Sequence, residues 1–232
     1  MNLGSILQRF ENSPLELEEK IPKTLMELVS ISDQIPYPAS GNTLKRWRML
    51  SQVSASNLSL GKLFESHLDA LAILHELNIP LEQKGLWAVW AAEGGPSPLT
   101  LDAGKLTGIK PWCSASVWVQ YGLLTYRDEQ QRSQLLILDL QQAGIQHHTD
   151  IWQAVGMQHT LTARLELNQV NAKKVAAPNA YLDRAGFWHG AAGVAACWYG
   201  ATVRLAEYLK QAVLLNRMPI RPCISVKSVG SF

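Results

Sequence analysis

The segment Leu106-Thr107-Gly108-Ile109-Lys110-Pro111-Trp112-Cys113-Ser114-Ala115-Ser116 holds the residue types best suited to chemistry. It reads as a strand in which Trp112 precedes Ser114 by two positions. On extended backbone, residues two apart point to the same face. A flat indole beside a small hydroxyl can seat a planar cofactor, with the ring on Trp112 and Ser114 donating to a ring nitrogen. Upstream, Trp87 and Trp90 lie in an apolar run ending at Ala91-Ala92-Glu93-Gly94-Gly95-Pro96. Alone, that run reads as a core strand followed by a turn.

Other chemistries find no starting point. The chain has no G-x-G-x-x-G, G-x-x-x-x-G-K-[ST], G-x-S-x-G or H-E-x-x-H, the motifs of dinucleotide, phosphate-loop, esterase and zincin sites. His147-His148, with Asp150 close by, suggests a metal at first sight. Adjacent histidines on an extended chain point to opposite faces, however, and no third ligand has helical spacing, so a solvated turn is expected.

The bulk properties narrow the field. With 232 residues, 47% hydrophobic and 17% charged, the chain is long and apolar enough to bury a core over one or two domains. Its 21 basic and 19 acidic side chains give a formal charge of +2, which offers no electrostatic case for nucleic acid. Three cysteines (Cys113, Cys197, Cys223) lie far apart, which fits a reducing compartment and provides neither a disulfide framework nor a zinc site. The N-terminal residues lack a basic region followed by an apolar stretch, so no secretory signal is read and a cytoplasmic protein is expected. The apolar run from Ala185 to Val203 holds His189 and four glycines, including Gly186 and Gly190, but no Leu or Ile. It is read as a helix of a soluble bundle, its small residues allowing close approach, and no membrane contact is expected.

The elements that position Trp112 and Ser114 follow from periodicity. Leu60, Leu63, Phe64, Leu68, Leu71 and Leu74 recur at three- and four-residue steps, which predicts an amphipathic helix opened by Asn57 or Ser59 and ended at Asn78-Ile79-Pro80. Thr24 to Asp33 and Thr43 to Val53 carry weaker helical patterns between turn clusters. After Pro80 the texture changes. Short runs at Leu86–Ala92, Val117–Tyr126, Gln134–Leu140 and Leu161–Leu167 read as strands. In the last, Leu161, Ala163, Leu165 and Leu167 alternate with Thr162, Arg164 and Glu166. The polar stretch from Arg127 to Arg132 reads as a hairpin connection. Helical texture returns from Gly186 to Gln211. The expectation is an α+β fold: an N-terminal helical domain (1–80), a middle antiparallel β-barrel-like domain (81–182), and a C-terminal helical segment with an irregular tail (183–232).

On these residues the sequence resembles the acyl-CoA dehydrogenase family. The family's L-N-G-x-K-x-W-I-T-N-G is similar to Leu106–Ser116 here. Its G-x-R-x-S-x-T-x-x-L-x-F-x-x-V is similar to Gly156–Val170. Ser59 to Leu77 resembles the long helix closing the family's N-terminal domain, and Gly186 to Lys210 the first helix of its C-terminal domain. The matches cover most of residues 40–210.

The resemblance implies a flavoprotein that binds FAD and removes two hydrogens from an acyl-CoA or related thioester. A carboxylate would take the α proton, and a hydride would pass to flavin N5. It further implies an electron-accepting flavoprotein partner and a homo-oligomer in the full-length form. Trp112 would hold the place of the tryptophan packed on the flavin, and Ser114 that of the hydroxyl reaching N5. Val89, Ala91 and Ala92 would line the pyrimidine edge. Glu93 keeps the acid of the family's T-E-P-G-x-G-S-D, but its G-S-D has become Gly95-Pro96-Ser97-Pro98, leaving Ser97 as the replacement for the substrate-binding serine. The family's usual glutamate base falls beyond Phe232. Some members, isovaleryl-CoA dehydrogenase among them, place the base early in the C-terminal domain, and the matching residue here is Asp183. The bland reading is that Asp183 merely opens a helix, favoured by the macrodipole. Asn216 to Phe232, with Pro219 and Pro222, shows no periodicity, so a truncated chain with an out-of-frame end is expected and catalysis would be impaired. The alternatives are a non-catalytic remnant of the fold, or a flavin-dependent monooxygenase built on it.

Overall fold

Asn2 opens the first helix, its side-chain oxygen accepting the Ser5 N–H at 2.9 Å. The computed structural model describes residues 2–82, 84–94 and 97–214; the expected tail, Asn216 to Phe232, lies outside them. Helices α1 (Leu3–Asn12), α2 (Leu17–Val29), α3 (Thr43–Ser56) and α4 (Leu58–Glu76) form the N-terminal part. The α2 helix starts ahead of the expected Thr24 and carries Pro22 inside it. Between α3 and α4 a single residue, Asn57, turns the chain and caps α4 by accepting the Leu60 N–H at 2.9 Å. The two helices pack so closely that a Cβ on Gly61 would meet Ser54 Oγ at 2.1 Å.

Seven strands follow: β1 (Trp87–Trp90), β2 (Thr100–Asp102), β3 (Lys105–Cys113), β4 (Tyr121–Arg127), β5 (Ser133–Asp139), β6 (Ile145–His148) and β7 (Ala163–Lys174). The β4–β5 pair is an antiparallel hairpin closed by the Asp128 N–H donating to the Arg132 carbonyl, as the polar run between them predicts. Val117 to Val119, expected in a strand, instead lie in the turn before β4, where Trp118 N–H donates to the Ala115 carbonyl.

The barrel expectation is corrected. The sheet is mixed and open, in the order β1-β4-β5-β7-β3-β2, with β6 also on β7 and with β1 parallel to β4. One reason is visible at the β1 edge. The Trp87 N–H donates to His67 Nδ1 (3.1 Å) and the Val89 N–H to Ser66 Oγ (2.9 Å), both from α4. Side chains of a helix thus satisfy the groups that a further strand would need for closure. At the other end β2 is only three residues long.

β7 holds the sheet together. It pairs with β3 along one side, and with β6 and then β5 along the other. A bulge at Gln169 (φ 54°) lets it change partners. The main core is shared between helices and sheet, with Ile6, Leu25, Leu50, Leu60 and Phe64 in the same buried cluster as Trp90, Leu106, Leu136 and Leu165.

After the one-turn helix α5 (Ala180–Asp183), α6 (Gly186–Leu214) packs on α3 and α4 through a ridge of Gly186, Gly190, Gly193, Cys197 and Gly200. A Cβ on Gly200 would meet the Ser51 carbonyl oxygen at 2.0 Å. No helix among the described residues is long and apolar enough to cross a membrane.

Candidate functional site

Trp112 and Ser114 do not share a strand face by simple alternation. β3 ends at Cys113, and its pairing to β7 shifts register between Lys110 and Cys113. Trp112 absorbs the irregularity with φ 60°, the left-handed region. Ser114 lies just beyond the strand, in a tight turn whose N–H donates to the Trp112 carbonyl at 3.2 Å. The bulge turns the Trp112 ring outward: it is 57% exposed, packed only edge-on against Trp152 at 6.0 Å and 90°. Cys113 beside it is fully buried, and burial pushes its thiol pKa up.

Ser114 sits at the head of a hydroxyl chain. Its Oγ is 2.8 Å from Thr162 Oγ1, which is 2.8 Å from Thr160 Oγ1, which donates to the Met157 carbonyl at 2.8 Å. A carbonyl only accepts and each hydroxyl has one proton. Thr160 therefore gives its proton to Met157, Thr162 gives its own to Thr160, and Ser114 gives its own to Thr162. The outward side of Ser114 Oγ presents lone pairs, not the donor expected from the sequence. Two further bonds fix the serine's backbone: Trp90 Nε1 donates to its carbonyl at 3.2 Å, and Ala115 N–H to the Thr160 carbonyl at 2.8 Å.

Of the three positions expected at a pyrimidine edge, two have backbone groups engaged within the protein. The Val89 N–H goes to Ser66, and the Ala91 carbonyl accepts from Thr125 Oγ1 at 3.1 Å. Ala92 is exposed, and Glu93 after it is bonded to Arg127 Nε at 2.5 Å. Gly95 and Pro96 lie outside the described residues. Ser97 is exposed, and its carbonyl accepts the Ile109 N–H at 2.9 Å, tying its loop across β3. The loop passes so near that a Cβ on Gly108 (φ 125°) would meet the Pro98 oxygen at 2.6 Å. Only glycine fits there.

Asp183 is exposed at the end of α5, which packs on β5, whereas Ser114 stands beside Thr160 and Trp90. Among the described residues no hydrogen bond, ion pair or ring contact joins Asp183 to Trp112 or Ser114. Nor is Asp183 the acid that opens α6. That role belongs to Glu76 of α4, whose Oε1 accepts the Gly186 N–H at 2.6 Å and whose Oε2 holds Arg184 at 3.1 Å. Arg184 is buried, lies 4.0 Å from Asp69, and stacks on Tyr181. The junction is an anchor for α6. Its signal in the sequence, an acid ending one helix and an arginine preceding another, spans 108 residues and has no local pattern.

The histidine pair is not a solvated turn. His147 and His148 lie on β6; His147 Nδ1 is 3.0 Å from Ser116 Oγ, and His148 Nε2 is 3.2 Å from Glu166 Oε2. Burial lowers the His147 pKa. Among the described residues no group of three His, Cys, Asp or Glu side chains is placed to hold a metal ion.

The arrangement fits a flavin in part. An outward indole offers a stacking face, and an inward-donating hydroxyl two residues on offers an acceptor. Part of the backbone edge that the resemblance implies, the Val89 N–H and the Ala91 carbonyl, is already bonded.

No family model matches the chain, and no curated protein sequence matches it. Solved structures do. KijD3 in complex with FMN and a dTDP-linked amino-keto sugar is 16% identical, with TM-score 0.68, 95% of this chain and 64% of that one covered. FMN-bound TdsC from Paenibacillus sp. A11-2 is 15% identical, with TM-score 0.63 and coverage of 95% and 64%. XiaF from a Streptomyces species, with FADH2 and glycerol, is 12% identical, with TM-score 0.64 and coverage of 90% and 63%. All three structures contain a flavin, FMN or FADH2. At such identities the likeness is one of fold, and the chain spans less than two thirds of their length.

Proposed function

We propose that this chain is the helical and β portion of a flavin-dependent oxidoreductase, with the flavin seated at Trp112. The carrying observation is the outward, left-handed Trp112 beside the inward-donating Ser114, on a fold shared with FMN- and FADH2-bound proteins. Trp112 would supply a stacking surface, Ser114 Oγ an acceptor at a ring N–H, and exposed Ala92 backbone groups for the pyrimidine edge. A bound FAD or FMN would supply the two-electron chemistry, as hydride acceptor or, when reduced, as reductant of dioxygen.

Two reactions suit such a site. In α,β-dehydrogenation of an acyl thioester, Asp183 would take the α proton. Its place on α5, packed against β5 with no bond to Ser114 among the described residues, argues for slow turnover by this route. Monooxygenation needs no such base, and one neighbour, TdsC, is a dibenzothiophene monooxygenase. The test is anaerobic mixing of flavin-loaded protein with acyl-CoA thioesters while flavin absorbance is followed. Rapid bleaching lost in Asp183→Asn supports dehydrogenation. An absence of bleaching, with product formed from reduced flavin, dioxygen and an aromatic heterocycle such as indole, supports monooxygenation.

A further inference from the structure

A small cavity of about 70 Å³ opens between β3, β4 and the loop after β1, lined by Ala92, Leu99, Ile109, Lys110, Thr125 and Tyr126 among others. We propose that it binds a monocarboxylate: a ligand, or the end of one, bearing a single carboxylate on a short apolar stem.

The argument starts from Lys110. It is only 1% exposed, yet it is a lysine, a residue almost never buried without a partner. Its Nζ donates to the Thr125 carbonyl at 2.5 Å. An ammonium carries three N–H groups, so two remain for something else, and no carboxylate among the described residues forms an ion pair with it. Burial, the chief cause, lowers the Lys110 pKa to about 8. Glu93 acts on this ammonium only at longer range and is itself held by Arg127. A buried ammonium with one carbonyl and no carboxylate in contact is a half-built ion pair that an anion would complete.

The surroundings select which anion. Four ionisable groups face Lys110. On its own strand, the Cys113 thiol is kept neutral by burial. On β4, Tyr126 has its phenol pKa raised by burial, and Arg127 already holds Glu93 of the β1 loop. Arg127 and Glu93 cancel, leaving the single charge of Lys110, which matches one negative charge and not two. The volume admits a carboxylate with two or three carbons, and Leu99, Ile109 and Tyr126 suit an apolar stem better than the bare oxygens of a phosphate. The cavity meets the proposed flavin edge only at Ala92, and its ligand needs no flavin.

The experiment uses the 232-residue chain without flavin and sodium propionate as the probe, with inorganic phosphate and sodium chloride at matched ionic strength as comparisons. Calorimetry or a thermal-shift titration should show saturable propionate binding near pH 7. Because the ligand needs Lys110 protonated, its affinity should fall about tenfold near pH 9, as the lysine charge is lost through a pKa of about 8. Lys110→Met should remove both the binding and its pH dependence. If that variant fails to fold, the wild-type pH profile alone decides. Propionate binding that is absent, equalled by phosphate or chloride, or flat across this pH range overturns the proposal. None of these outcomes bears on whether flavin binds at Trp112.

Discussion

Ser114 Oγ lies 2.8 Å from Thr162 Oγ1, and that bond decides which way the serine hydroxyl points. Because Thr160 ends the chain on the Met157 carbonyl, the donor direction is set from the far end. Thr162→Val removes the middle of the chain and leaves Thr160 and Ser114 each short of a partner. Chemical denaturation should show a loss of about 1–3 kcal/mol, whereas Ser114→Ala, at the open end, should cost about 1 kcal/mol. Equal losses for the two would contradict the directed chain.

The glycine ridge of α6 makes a second prediction. Gly200→Ala puts a methyl group into the Ser51 carbonyl and should destabilise by about 1–3 kcal/mol, since backbone, not a mobile side chain, must move. Gly156→Ala, where a Cβ meets nothing within 4 Å, is the control and should be within about 0.5 kcal/mol of wild type. Urea midpoints of the two variants check this.

His67 gives the protein an acid sensitivity. Its Nδ1 accepts from Trp87 N–H and its Nε2 faces Ser32 Oγ at 3.1 Å, so the folded state holds it neutral, with burial lowering its pKa to about 4. An unfolded histidine titrates near 6.5. The folded pKa is the depressed one, so this stability is complete above about pH 6.5 and is lost as pH falls towards 4, to the extent of about 3 kcal/mol. Stability measured near pH 7.5 and pH 5 should drop more in wild type than in His67→Gln, which does not titrate.

How much of this was legible beforehand depends on how local each signal was. The α4 stripe from Leu60 to Leu74 and the β4–β5 hairpin are written in adjacent residues and appear where periodicity puts them. The Leu161–Leu167 alternation holds from Ala163 onward. It breaks at Leu161, which is left-handed at φ 43°, and at Thr162, which faces inward to join the hydroxyl chain. The open sheet was not legible, because capping of the β1 edge by Ser66 and His67 joins residues 20 and more apart with no pattern between them. At the site, the residue types of Trp112 and Ser114 were readable. The bulge that turns the indole outward was not, because it arises from the register between β3 and β7.

The exposed face of α6 makes a fourth prediction. Trp188, Trp198, Tyr199, Leu205, Tyr208 and Leu209 all stand open, a large apolar stretch for one helix. Sedimentation should show concentration-dependent self-association of the chain, reduced in Trp198→Glu with Leu205→Glu. A concentration-independent monomer would contradict it.

The central claim is a flavin seated on Trp112, and titration of FMN and of FAD into the chain, read by quenching of flavin fluorescence, tests it most directly. Stacking on one exposed ring and one hydroxyl contact are worth about 1–3 kcal/mol each. Saturable binding is therefore expected at micromolar or weaker affinity, falling at least about tenfold in Trp112→Ala, whose exposed ring contributes little to folding. No quenching, or binding that Trp112→Ala leaves unchanged, would contradict the account.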